Sequence, residues 1–264
     1  MALRSALMTV MVAAAEKAAK ALKRDFGEVE NLQVSRKGPS DFVTAADTKT
    51  EKTLVAELSK ARPNFGFVLE EGGVIAGSDG EHRWIIDPID GTTNFLHGIP
   101  HFAMSIALQR GDRIIAGVVY NPITEDWFIA ENGTGAFHNN RRMRVSARKS
   151  LDDVIVATGI PFKGRPGHEE FLEQSARVMG ATAGLRRFGT ASLDLAFVAA
   201  GRFDAFWEMG LKPWDIAAGI LLVQEAGGFV TDLHGPASPL DTGNILATNA
   251  EIQAPLRRVI LGTP

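Results

Sequence analysis

Between Ala103 and Ser146 the sequence AMSIALQRGDRIIAGVVYNPITEDWFIAENGTGAFHNNRRMRVS alternates apolar runs with Arg-Gly-Asp, Asn-Pro and Asn-Gly turns. That punctuation predicts an antiparallel meander. Near residue 150 the pattern changes. LDDVIVATGIPF reads as a strand, followed by a helix from about His168 to Met179. GTASLDLAFVAAG then reads as a helix capped by Thr190, with Gly201 just past its end. FDAFWEMG is a strand, and KPWDIAAGILLVQEAGG is an almost wholly apolar helix with Pro213 at its first position and Gly-Gly at its stop. Two short strands and a closing helix complete the chain. A meander followed by alternating helix and strand predicts an α+β chain. We expect residues 1–264 to form a single domain, with lobes of approximately 1–150 and 151–264 sharing one interface.

The first hundred residues supply two more helices and two strands. MALRSALMTVMVAAAEKAAKALKRDF faintly resembles a signal peptide, but Leu3, Leu7, Val10, Ala14, Ala18 and Leu22 recur at helical spacing straight through the supposed cleavage region. An amphipathic helix of the mature protein is therefore expected. NLQVSRKGPSDF reads as a basic loop, and a helix from about Thr44 to Ala61 carries Val55 and Leu58 inward until Pro63. FGFVLEEGG and RWIIDPIDG are strands ending in acids.

Composition narrows the function classes. The chain is 45% apolar and 22% charged, an ordinary globular balance. Its 31 acids against 28 Lys plus Arg leave a net charge of −3, so nucleic acid is not expected as the main ligand. The absence of cysteine excludes disulfides, thiolate metal sites and a cysteine nucleophile, and fits a cytoplasmic location. No segment offers the ~18 uninterrupted apolar residues of a membrane span.

Three acidic clusters stand where elements leave the core: Glu70-Glu71, Asp87 with Asp90, and Asp215. Taken singly, each has an ordinary explanation as a solvated strand end, an Asp-Gly turn, or an acid complementing a helix dipole. Together, flanked by FVL, WII and IAAGILL, they converge, and converging carboxylates repel unless cations neutralise them. Hard oxygen donors favour Mg²⁺ over zinc. His97 and His101 are separated by Gly98 and Pro100, so they do not form a helical ligand pair. Gly91 allows close approach to an anion, and Thr92, Thr93 and Asn94 can cap a short helix whose free N–H groups face it. Phosphate held between metals and a helix N-terminus is a phosphatase arrangement that needs no serine or cysteine nucleophile.

DPIDGTTNF, WDIAAGILLVQEAGG, the upstream glutamate pair and GPSDFVTAADTKTEK together resemble the inositol monophosphatase family of lithium-sensitive, magnesium-dependent sugar phosphatases. RRFGTASLDLAFVAAGRFDAFWEMGLKPWD is similar to its bacterial inositol-1-monophosphatase branch. The resemblance spans essentially the whole chain. It implies a layered α-β-α-β-α sandwich, usually a homodimer, with two or three Mg²⁺ per active site. It makes Glu70, Asp87 and the Ile89 carbonyl ligands of one metal, with Asp87 bridging to a second held by Asp90 and Asp215. Glu70 and Thr92 would orient the attacking water, with Asp47 supporting the threonine. Gly91, Thr92 and Thr93 would hold phosphate, and Gly189, Thr190, Ala191 and Glu208 would face polyol hydroxyls. Leu69, Gly72-Gly73 and the lack of a serine near Ile160 depart from many relatives and leave the substrate open. Inositol 1-phosphate leads; histidinol phosphate, fructose 1,6-bisphosphate and a 3′-phosphorylated nucleotide are alternatives. Some bacterial relatives serve the transcription machinery, so a partner there is a further expectation.

Overall fold

The computed structural model describes residues 5–28, 34–38 and 41–263. Ser5 caps α1 (Ala6–Gly27) by accepting from the Met8 N–H at 3.0 Å. Of the anticipated stripe, Leu7 and Val10 are half-buried and Ala14, Ala18 and Leu22 are buried. Leu3 lies outside the described residues. The buried face is wider than that stripe and includes Met8, Met11, Ala15 and Ala19, because α1 packs on a helix and a sheet at once. The expected loop after it contains β1 (Val34–Gly38) and β2 (Asp41–Thr44), paired antiparallel. Its Asn31–Gln33 and Pro39–Ser40 are outside the described residues.

α2 (Ala45–Ala61) begins with a reciprocal cap. Thr44 accepts from the N–H groups of Ala46 and Asp47, and the Asp47 carboxylate accepts from the Thr44 N–H at 2.8 Å. β3 (Gly66–Leu69) runs into Glu70. There the chain does not simply end a strand; it turns through Gly73, at φ +71°, into β4 (Gly73–Ile75). β5 (His82–Asp90) leads to the short α3 (Thr92–Leu96). The meander follows as β6 (Ala103–Arg110), β7 (Arg113–Asn121), β8 (Asp126–Glu131), β9 (Gly135–His138) and β10 (Arg141–Arg142). These strands form an eight-stranded sheet in the order β10-β9-β8-β7-β6-β5-β3-β4. The basic run around Arg141 is thus a hairpin, its turn made by Asn139 and Asn140 at positive φ.

The second half alternates, with β12 and α7 added to the anticipated elements: β11 (Ile155–Thr158), α4 (His168–Ala181), β12 (Gly184–Arg186), α5 (Ala191–Ala199), β13 (Ala205–Glu208), α6 (Pro213–Glu225), β14 (Phe229–Thr231), α7 (Pro239–Thr242), β15 (Ile245–Thr248) and α8 (Gln253–Leu261). Its sheet has the order β12-β11-β13-β15-β14. The three-residue β12 had no clear apolar pattern to announce it.

Three apolar clusters separate five layers. Trp84, Ile86, Met104 and Ile106 face α1 and α2 on one side of the large sheet. Ile85, Ala107 and Val119 face α5 and α6 on the other, together with Ala157 and Phe206 of the small sheet. Val156, Ala205 and Trp207 face α4 and α8. α5 and α6 are the enclosed layer, which is why almost every side chain of α6 from Ile216 to Val223 is apolar. The layers are α-β-α-β-α. Close packing there depends on glycine: a Cβ on Gly219 would stand 2.5 Å from Leu195 Cδ1 and 2.6 Å from its Cβ. Gly219→Ala is expected to destabilise the protein by about 1–3 kcal/mol through overpacking, read as a lower denaturant midpoint.

Candidate active site

Asp87 and Asp90 are three residues apart, so a regular strand would send them to opposite faces. β5 is not regular. Asp87 pairs with Ser105 but Asp90 pairs with Ala103, leaving Pro88 and Ile89 opposite Met104 alone. This one-residue bulge reverses the alternation. Ile85 points into the inner core, whereas Ile89, which would follow it, packs in the outer one. Both aspartates therefore face the inner layer. Pro88 suits the bulge because it has no N–H to contribute to the ladder. Glu70 joins them from the parallel neighbour β3, directly after Leu69, which is registered with Ile86.

Helix starts complete the cluster. The Asp90 carboxylate accepts from the Ser192 N–H of α5 at 2.6 Å. Asp215, third residue of α6, accepts from the Lys212 N–H at 2.7 Å. Asp87 accepts from the Ile89 N–H at 2.9 Å. Each carboxylate is thus oriented through one oxygen by a backbone donor. Behind them Asp47, 1% exposed, accepts from the Thr44 hydroxyl at 2.5 Å. The Thr92 hydroxyl lies 3.3 Å from the other Asp47 oxygen and 3.0 Å from the Ile89 carbonyl.

A cleft of about 170 Å³ opens over this floor. Of the anticipated residues, Glu70, Asp90, Gly91, Thr92, Thr93, Gly189, Thr190, Ala191, Glu208 and Asp215 line it. Asp47, Asp87 and Ile89 stand behind the lining. Gly91, at φ +93°, is where the chain needs glycine, since a Cβ there would meet Thr190 Oγ1 at 2.5 Å. Gly91, and none of the following residues, is the N-cap of α3. The Asn94 side chain turns inward to the His101 and Phe188 carbonyls, both at 2.8 Å. Thr190 occupies the N-cap position of α5, yet its hydroxyl makes no cap bond and donates instead to the His101 carbonyl at 2.9 Å. Asp90 satisfies that helix start in its place. Sequence reasoning missed Arg165 and Arg187, the two cations of the cleft, and Gly159, where a Cβ would collide with the Glu208 carboxylate. Only the missing side chain of Gly159 carried a signal.

The carboxyls are held far from their ordinary titration range. Burial pushes Asp87 well up, and the charges of Glu70, Asp90 and Asp215 push it further. Burial raises Asp90 to about 6 against the opposing Ser192 hydrogen bonds, and raises Asp215 to about 7, with Asp90 adding repulsion. Glu208 rises to about 8 by burial and by the charges of Asp215 and Asp90, with Arg165 and Arg187 opposing. Asp47 rises to about 6, again by burial first. Among the described residues no three His, Asp or Glu side chains are already drawn together as a closed cation clasp. Their chemistry nonetheless fits one kind of guest. Buried, mutually repelling, hard oxygen donors favour a divalent cation such as Mg²⁺.

The inositol monophosphatase family model matches residues 3–260. The inositol-1-monophosphatase of Rhizobium meliloti is 58% identical over 97% of both chains. The Nus factor SuhB of Pseudomonas aeruginosa is 46% identical over 93% of this chain and 92% of that one. The crystal structure of extragenic suppressor protein suhB from Bartonella henselae superposes with a TM-score of 0.94 at 58% identity, over 97% of this chain and 98% of that chain. Layer order, carboxylate floor and sequence agree: the chain belongs to the inositol monophosphatase family.

Proposed function

We propose that the protein is a magnesium-dependent phosphomonoesterase that releases phosphate from inositol 1-phosphate and related polyol phosphates. The observation that carries this reading is the bulge in β5, which turns Asp87 and Asp90 to one face beside Glu70 and Asp215. Those four carboxylates and the Ile89 carbonyl are the proposed holders of two or three Mg²⁺. When bound, the ions would supply the Lewis acidity that polarises the phosphoryl group and lowers the pKa of water. The chain's own residues do the positioning. Thr92, its hydroxyl fixed between Asp47 and the Ile89 carbonyl, orients the attacking water with Glu70. Gly91, Thr92 and Thr93 hold phosphate. Gly189, Thr190, Ala191 and Glu208 face the leaving alcohol, Thr190 through its backbone because its hydroxyl is already engaged.

The proposal extends to lithium sensitivity, a homodimer, a cytoplasmic location, and a catalytic unit whose lobes meet near residue 150. The relative named as a Nus factor supports a second role with the transcription machinery beside catalysis. A phosphate-release screen with and without Mg²⁺ tests the main reading over inositol 1-phosphate, histidinol phosphate, fructose 1,6-bisphosphate and 3′-phosphoadenosine 5′-phosphate. Magnesium-dependent turnover highest on inositol 1-phosphate is expected. Glu208→Ala should raise KM for that substrate by about tenfold with a smaller change in kcat, as for loss of one hydrogen bond to the leaving alcohol. Turnover of none of the four would move the weight to the binding role.

A further inference from the structure

Two short segments from distant parts of the chain line the cleft, residues 91–93 and residues 189–191. The first is well supported by its own neighbours. The Gly91 carbonyl accepts from the Phe95 N–H at 3.0 Å, and the buried Phe95 ring stands edge-on to Phe102 at 5.1 Å. The second has less behind it, since Phe188 is 40% exposed and Gly189 sits at φ +81°. The Asn94 side chain, 7% exposed, joins the two. Its amide nitrogen has two hydrogens, and two carbonyls take them, His101 and Phe188, each at 2.8 Å. The His101 carbonyl also accepts from the Thr190 hydroxyl, so it anchors both sides. Among the described residues the Phe188 carbonyl accepts from Asn94 alone. The Asn94 carbonyl in turn accepts from the Ile99 N–H at 2.9 Å, which steadies the chain leading to His101.

We propose that Asn94 is a positioning residue, a latch that fixes the alcohol-facing turn at residues 188–190 against the phosphate-holding turn that starts at Gly91. The proposal rests on the phosphomonoesterase reading and adds to it a residue that acts through the backbone of others. A trans peptide sets its N–H opposite its C=O, so holding the Phe188 carbonyl fixes the direction of the Gly189 N–H. The turns are close enough that a Cβ on Gly91 would stand 3.4 Å from the Gly189 carbonyl oxygen. A phosphate ester of a polyol reaches across both turns, and its reacting bond stays aligned only while they keep one spacing. Without the amide, the Phe188 carbonyl loses its donor and the turn hangs on the Thr190 hydroxyl.

The test compares inositol 1-phosphate with methyl phosphate, which carries the phosphate but no hydroxyls for residues 189–191 to hold. Dissociation constants and kcat/KM are measured for the magnesium-loaded parent, Asn94→Ala and Asn94→Ser. The parent should prefer inositol 1-phosphate, and Asn94→Ala should cut that preference by about tenfold, the effect of one or two hydrogen bonds. Asn94→Ser, whose hydroxyl can donate to one of the two carbonyls, should fall between them, and it decides the matter if the alanine variant does not fold. A merely structural role would weaken both esters together and leave their ratio where it was. An unchanged ratio in the folded variant, or a parent without the preference, would overturn the latch. If the parent hydrolyses neither ester, the catalytic reading fails, and the ratio of dissociation constants then decides the latch.

Discussion

Asp90→Asn and Asp215→Asn are each expected to lower kcat by about a thousandfold or more at saturating Mg²⁺, the scale on which loss of one electrostatic stabiliser acts in a closed site. The fold should survive both. An asparagine oxygen can still accept from the Ser192 N–H in the first case and from the Lys212 N–H in the second, so the helix starts stay satisfied. Each substitution also removes a buried charge that its neighbours repel. The metal-free variants should therefore melt at or above the parental Tm near pH 8. Activity is read by phosphate release and folding by circular dichroism. A variant that folds normally and keeps near-parental turnover would dismiss the carboxylate floor as the ligand set.

The second large effect is on stability against pH without metal. Asp47, Asp90, Asp215 and Glu208 have folded pKa values of about 6, 6, 7 and 8, all above their ordinary ones. Between pH 4 and 8 the folded chain accordingly binds more of these protons than the unfolded chain. Stability from this group is fully present below the unfolded pKa values and falls as pH rises through 6, 7 and 8. One pH unit of displacement is worth about 1.4 kcal/mol, so the set amounts to several kcal/mol. His101 works the other way, since burial lowers its pKa and stability rises as it deprotonates, but it is a single ring. Magnesium should flatten the profile by compensating the ionised carboxylates, with proton release on binding. Denaturant midpoints at pH 5, 6, 7 and 8, in EDTA and in Mg²⁺, provide the measurement. A midpoint in EDTA that stays level or climbs from pH 5 to 8 would contradict the buried cluster.

Much of this was legible along the chain. The meander, the span of α2, expected from about Thr44 to Ala61, Pro213 opening α6 and the acids at strand ends are local features with short-range causes. The misses share a different cause. β1 and β2 pair with each other inside a stretch whose composition reads as a loop, because pairing supplies hydrogen bonds that residue types do not announce. Thr190 has the chemistry of an N-cap, but its hydroxyl is drawn to the His101 carbonyl, 89 positions away. Arg165 and Arg187 come from segments without periodicity, yet the tertiary fold brings both to the lining of the cleft.

The spacing Asp-Pro-Ile-Asp-Gly and the all-round apolar helix after Trp214 by themselves determined that acids would leave the core beside a sharp turn and that a helix would lie enclosed between layers. Backbone propensity and burial act over a few residues, so the sequence suffices for them. Whether Asp87 and Asp90 faced the same side was decided only by strand register, where one extra residue opposite Met104 reversed the alternation. Tertiary structure likewise decided that Asp90, not Thr190, would satisfy the start of α5, and that Glu208 would stand against a glycine in the cleft. Such pairings depend on how strands slide and helices rotate against one another, a set of distances that no local stretch of sequence contains.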